Sequence, residues 1–285
     1  MLFFLLACSR IEVSESWQID RLRVLAIAAE PAEPRPGDTV HFRSLVVSPN
    51  RPVECVAWIG CSAEDGFGCG LEGLAGDSGA SALASSFLGL EPFSPPVWQV
   101  PTDYLDALPE ADRAEGIPGI ITTIAITDCS ALQDASAETA NELLSGDVDS
   151  SEIGFKRVPV SLAETPNHNP TVVGITVDGI AVAPGVRVEL DRKQTYELAV
   201  SLTDDAVESY QYRNQSGDLE ERVEEPYFSW YSQEGSFNQT NTLWDVVTVE
   251  YTTPELPVQL EQSLWVVARD RRGGMGWAEL PIRIR

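Results

Sequence analysis

The run Trp265-Val266-Val267-Ala268-Arg269-Asp270-Arg271-Arg272-Gly273-Gly274 carries four apolar residues into a charged turn that ends in glycine. Residues 276–284 then resume an apolar pattern. The two flanks read as antiparallel strands joined by a hairpin loop over 269–274. Strands of the same kind precede this hairpin. They are predicted at 171–177, 186–190, 195–202, 227–231 (Tyr227-Phe228-Ser229-Trp230-Tyr231) and 246–251.

The first half of the chain follows the same plan. In 21–29, Leu22, Val24, Ala26 and Ala28 share one face and Leu25 and Ile27 the other. Pro31, Pro34, Pro36 and Gly37 then form a turn cluster. Further strands are predicted at 39–47, at 53–59 with Trp58 near its end, at 117–127 and at 158–162. Val56-Ala57-Trp58 aligns with Phe228-Ser229-Trp230. Ile124-Ala125-Ile126-Thr127-Asp128 aligns with Val266-Val267-Ala268-Arg269-Asp270. Two copies of one unit follow, which suits a chain of 285 residues. The division is 1–17 as signal and tether, 18–164 as the first domain and 165–285 as the second. Pro166, Asn167, Asn169 and Pro170 mark the linker. The first copy carries a long insertion at 62–116. Helices are expected at 134–144 and, after Thr102, at 103–115.

With a tryptophan on the third strand of each copy, the pattern resembles immunoglobulin-like and fibronectin type III-like sandwiches, in which that residue fills the core. The 265–274 run resembles the last hairpin of bacterial Ig-like (PKD-like) envelope modules. The resemblance implies an all-β protein of two tandem Ig-like β-sandwiches, the first with a long, partly helical insertion. It also implies a binding or spacer role, and it carries over no catalytic residue, cofactor or metal site.

Leu5-Leu6-Ala7-Cys8 resembles a bacterial lipobox. It implies cleavage before Cys8, acylation of Cys8 and a mature protein outside the cytoplasm. Ser9 in the next position resembles an outer-membrane sorting signal. Ser9, Arg10, Glu12, Ser14, Glu15 and Ser16 then make a polar tether. A full secretory signal has a basic start and roughly 7–15 apolar residues, more than precede Cys8. The alternatives are therefore an upstream start codon and an apolar terminus with a chance cysteine. No other segment reaches the roughly 18 apolar residues of a membrane-spanning helix.

Besides Cys8, the cysteines are Cys55, Cys61, Cys69 and Cys129. An even set in an oxidising compartment implies two disulfides, of three connectivities. Their spacing does not suit zinc. Cys61 with Cys69 closes a local loop and leaves Cys55 with Cys129; the rival pairing joins Cys61 to Cys129.

The net charge is −25. Between Arg51 and Lys156 there are 18 acidic residues against Arg113 alone, a balance of −17. Such a surface repels nucleic acid and anionic headgroups. It reads as a solvating surface, or as a face for divalent cations or a basic partner. The catalytic inventory is thin. His41 lies in a strand, and Asn167-His168-Asn169 reads as a turn. No nucleophile elbow, zinc-binding helix or phosphate loop occurs. Asp128, Asp147, Asp149, Asp204, Asp205 and Asp270 are oxygen donors without a calcium-loop pattern and read as solvated loop carboxylates. Trp58, Trp230 and Trp265 read as core, while Trp98, Trp244 and Trp277 flank loops and could face a ligand.

The expectation is a non-enzymatic, outer-membrane lipoprotein serving binding, adhesion or support. Its partners are the membrane through its lipid, and another envelope protein or a glycan, not nucleic acid. The alternatives are a glycan-binding module using the loop tryptophans and a hydrolase using carboxylates of the first domain's insertion.

Overall fold

The computed structural model describes residues 15–61, 87–132, 151–214 and 216–285. Cys8, Cys69, Asp147, Asp149 and the helix expected at 134–144 lie outside them. The first sandwich contains β1 (Arg23–Glu30), β2 (Thr39–Val47), β3 (Cys55–Cys61), β4 (Phe87–Glu91), β5 (Val97–Gln99), β6 (Ile117–Ile126) and β7 (Ser151–Val160). Its sheets are β1-β2-β5 and β4-β3-β6-β7. Between them lie Ile27, Ala29, Val40, Phe42, Val56, Trp58, Ile121, Ala125, Val158 and Val160. Trp58 stacks on Phe42 at 5.5 Å, and its indole N–H donates to Glu91 Oε2 at 3.0 Å.

Two expectations for the insertion are corrected. Residues 87–99 supply β4 to one sheet and β5 to the other, so this part belongs to the sandwich. Residues 103–115 are not a helix. They are turns with one 3-10 turn at Glu110–Asp112, because Pro101, Pro109 and Gly116 confine the segment, while Leu105 still enters the first core with Tyr104 and Leu108 against it.

The second sandwich contains β8 (Val172–Val177), β9 (Ile180–Ala181), β10 (Val188–Leu190), β11 (Thr195–Leu202), β12 (Ser209–Arg213), β13 (Leu219–Val223), β14 (Tyr227–Ser232), β15 (Ser236–Phe237), β16 (Asn241–Leu243), β17 (Thr248–Thr252), β18 (Glu261–Arg269) and β19 (Met275–Ile284). Its sheets are β10-β19-β18-β14-β16 and β15-β17-β11-β8-β9; β12 and β13 form a separate hairpin. All pairs are antiparallel except β10 with β19. Asp178 and Gly179, with φ of 48° and 77°, make the two-residue turn between β8 and β9 that left-handed backbone allows. Phe228, Trp230, Tyr251, Leu264, Val266 and Ile282 fill the core.

Strand register corrects the alignment of the two copies. Trp58 lies opposite Thr123, and Trp230 opposite Val266. The counterpart of Val266 is therefore Thr123 rather than Ile124. One residue decides which face a strand residue occupies. Ile121 and Ala125 face Trp58, whereas Ile120, Ile124 and Ile126 join Cys55, Ala57 and Ile59 in a cluster on the other face. Because β6 is apolar on both faces, its pattern hides its register. The counterpart of Asp270 becomes Thr127; Asp128 is exposed, Asp270 buried.

The sandwiches lie side by side. Leu25, Ala26 and Val47 of β1 and β2 pack on Trp265 and Val267 of β18, ringed by Leu45, Tyr231, Met275 and Trp277. Trp265 is thus core, as expected, but in the interface between the sandwiches. The chain also touches the second sandwich before entering the first. The Ile19 amide donates to the Ser232 carbonyl at 2.8 Å and the Ser232 amide to the Trp17 carbonyl at 3.3 Å. The Trp17 ring meets Phe237 edge-on at 5.7 Å.

Candidate functional site at the junction of the sandwiches

The hairpin loop between β18 and β19 is organised by Asp270. Its Oδ1 accepts the amides of Arg272, Gly273 and Gly274 at 2.8, 2.9 and 2.9 Å. Its Oδ2 accepts the Asn167 side-chain amide at 2.8 Å. Asp270 is buried, which corrects its reading as a solvated loop carboxylate. Burial pushes its carboxyl up, although these four donors favour the charged form.

Arg272 leaves the same loop and gathers three glutamates. Its Nη1 lies 3.1 Å from Glu224 and 3.5 Å from Glu208, and its Nη2 3.1 Å from Glu33. The guanidinium also sits over the Tyr210 ring at 4.6 Å. Burial pushes the Glu224 carboxyl up to about 7; the Glu208 amide and Arg272 oppose this and Asp270 adds to it. Lys156, on β7 of the first sandwich, is buried and donates to the Gly273 carbonyl. Burial pulls its ammonium down to about 8, with Asp270 opposing and Arg269 adding.

The linker closes the cluster. The Asn167 amide donates to Glu33 at 2.7 Å. His168 Nδ1 lies 2.5 Å from Glu208 Oε1. The Asn169 side chain donates to the Ala29 carbonyl at 2.7 Å and accepts the Met275 amide at 3.0 Å. The Asn167-His168-Asn169 turn is therefore built into both sandwiches. The sequence held one signal for this cluster: Lys156 is one of two lysines; that it lies in β7 is seen only in the structure.

Beside the cluster opens a cleft of about 900 Å³, walled by Glu33, Glu115 and Pro159, by residues 163–165, and by the β12–β13 hairpin with Tyr210, Tyr212 and Arg213. Arg213 Nε reaches Glu115 Oε1 at 2.8 Å, and Arg222 covers the Tyr212 ring at 3.8 Å. Acidic groups outnumber basic ones along the walls, so the cleft suits a polar or cationic group.

The sequence-predicted residues lie elsewhere. Cys55 and Cys129 are disulfide-bonded, with Cα atoms 5.9 Å apart. Cys61 ends β3 opposite Ile120. Trp98, on β5, meets Tyr104 edge-on at 5.7 Å and packs on the first core. Trp277 lies in the interface beneath Arg43, 4.6 Å from its ring. Trp244 is exposed in the turn after β16. The three occupy three different environments. Among the described residues no group of His, Cys, Asp and Glu is arranged to hold a metal ion, and no helix is long and apolar enough to cross a membrane.

No family model and no curated protein sequence matches this chain. Solved structures match in part. A nucleoside hydrolase-related protein from Saccharophagus degradans, associated with carbohydrate metabolism, is 13% identical over 42% of this chain and 26% of its own, with a TM-score of 0.30. The Ig1-2 module of the Drosophila receptor protein tyrosine phosphatase DLAR is 8% identical over 93% of this chain and 99% of its own, with a TM-score of 0.26. The SGBP-B protein of the Bacteroides ovatus mixed-linkage glucan utilization locus, in complex with a mixed-linkage heptasaccharide, is 12% identical over 92% of this chain and 47% of its own, with a TM-score of 0.21. The chain thus spans about a quarter of the first of these and about half of the third. Ig-like β-domain proteins are among the matches; at these TM-scores neither fold nor ligand is read from them.

Proposed function

We propose that this chain is a lipid-anchored cell-envelope protein that binds a partner and performs no chemistry on it. The observation that carries the reading is the junction. Buried ions and tryptophans join two sandwiches into one unit, and the β12–β13 hairpin and its cleft stand out from that unit. The guanidiniums and carboxylates around Arg272 are engaged with one another, which suits a scaffold more than an acid–base pair. The Cys55–Cys129 disulfide suits an oxidising compartment, and Leu5-Leu6-Ala7-Cys8 supplies the anchor. The cleft is walled by both sandwiches, so recognition draws on both.

The test is crosslinking in the native cell, with the wild-type chain and with Tyr212→Ala/Arg213→Glu. A protein partner recovered by the first and lost by the second supports the reading. Equal recovery moves the binding face away from the cleft. Saturable quenching of tryptophan fluorescence by a soluble glycan would instead favour the glycan-binding alternative. Mass spectrometry of the membrane fraction should find a lipid-modified Cys8 at the N-terminus; an unmodified Met1 terminus would remove the anchor.

A further inference from the structure

Between β17 and β18 runs Pro254-Glu255-Leu256-Pro257-Val258-Gln259-Leu260. Leu256 is 82% and Val258 89% exposed, and Leu260 is exposed beside them. The loop is held in place. The Glu234 carboxylate accepts the amides of Val258 and Gln259, both at 2.9 Å. Gln262 donates to the Gln259 carbonyl at 2.7 Å, and two prolines restrict the backbone. Glu255 is met by Lys193 at 3.1 Å, so the apolar tip carries no unmatched charge. Single exposed apolar residues are ordinary; here Leu256, Val258 and Leu260 are exposed together on one braced loop.

The path of the N-terminal segment says what faces it. Glu234 lies two residues beyond Ser232, whose amide and carbonyl hold Trp17 and Ile19. The chain therefore enters at the end of the second sandwich that bears residues 254–260. Cys8 precedes Glu15 by seven residues, a reach of at most about 25 Å in extended chain.

We propose that residues 254–260 form a lipid-surface contact, seating Leu256 and Val258 in the interfacial layer of the membrane to which the chain is tethered. This rests on the reading of Cys8 as the anchor. The second sandwich, last in sequence, then stands against the bilayer. A chain of net charge −25 requires a zwitterionic lipid surface for this, because anionic headgroups repel it.

The probe is a tryptophan at the loop tip. Val258→Trp, and Val173→Trp on β8 as control, are made in the full chain. They are studied on phosphatidylcholine vesicles with brominated acyl chains, after circular dichroism confirms folding. The acylated protein should gain blue-shifted, bromine-quenched emission from Val258→Trp and none from Val173→Trp. Equal quenching of the two on vesicle-bound protein overturns the proposal. A second arm replaces the anchor: the full chain with Cys8→Ser and an N-terminal hexahistidine tag is held on nickel-chelating lipid in the same vesicles. Selective quenching there upholds the contact even if native Cys8 proves unmodified, which would sink the anchor alone. Its absence in this arm overturns the contact whatever the state of Cys8.

Discussion

The Lys156 ammonium donates to the Gly273 carbonyl across 117 residues of sequence. It brings a charge from the first sandwich into the hairpin loop of the second. Lys156 is buried and Gly273 half-buried in a junction that also holds Asp270, Arg272 and Glu224. The junction turns two sandwiches into one mechanical unit.

Lys156→Ala should destabilise the protein by about 2–4 kcal/mol, since it leaves buried acceptors without their donor. Lys156→Met, which keeps the volume, should cost less. Calorimetry should show one transition for the wild type and two separated transitions for Lys156→Ala. A single unshifted transition would show that the sandwiches do not depend on this contact.

Charge at Arg272 and at Arg213 should matter very differently. Arg272→Ala strands Glu33, Glu208 and Glu224 and should cost about 3–5 kcal/mol at pH 8. The loss should be smaller at pH 5, where Glu224 has taken up a proton. Arg213→Ala removes an exposed pair and should cost below about 1 kcal/mol. Urea titrations of both variants at the two pH values check the contrast.

The junction should make stability depend on pH in two windows of opposite slope. Glu224 has its folded pKa raised to about 7 from 4.5. Its favourable contribution is complete below 4.5 and lost as pH rises through 7. Lys156 has its folded pKa lowered to about 8 from 10.5. Its favourable contribution is present above 10.5 and lost as pH falls through 8. Stability should fall between 4.5 and 7 and recover from 8 upward, each slope bounded by one proton, about 1.4 kcal/mol per pH unit. Glu224→Gln should flatten the acid window and leave the alkaline one in place.

Trp265→Ala empties the centre of the apolar interface and should cost about 3–5 kcal/mol. The sandwiches should also separate, and small-angle scattering would register this as a larger radius of gyration. An unchanged radius would assign the interface to the Arg272 cluster alone.

Reduction of Cys55–Cys129 should destabilise the first sandwich by about 2–4 kcal/mol. The bond joins residues 74 apart. Because the two sandwiches unfold together, the loss should appear as a fall in the single calorimetric midpoint of the whole unit.

The strands were legible from residue pattern because alternation is local: 39–47 and 195–202 match β2 and β11 residue for residue. Of the three tryptophans read as core, Trp58 and Trp230 fill the sandwiches and Trp265 fills the interface between them. The β12–β13 hairpin was not legible, since Ser209–Arg213 and Leu219–Val223 are mostly exposed and polar, with no buried face to impose a period. The register of β6 was hidden by its two apolar faces.

What the sequence by itself determined was the all-β class, the two tryptophan-centred sandwiches and the closing hairpin, because a half-buried strand writes its period into every second residue. Tertiary structure alone decided that Asp270 is buried, that Lys156 reaches Gly273, that Asn167-His168-Asn169 joins both sandwiches and that the chain enters beside residues 254–260. The reason is physical. A polar residue in a loop carries no local mark of burial, and its environment is set by partners a hundred or more residues away.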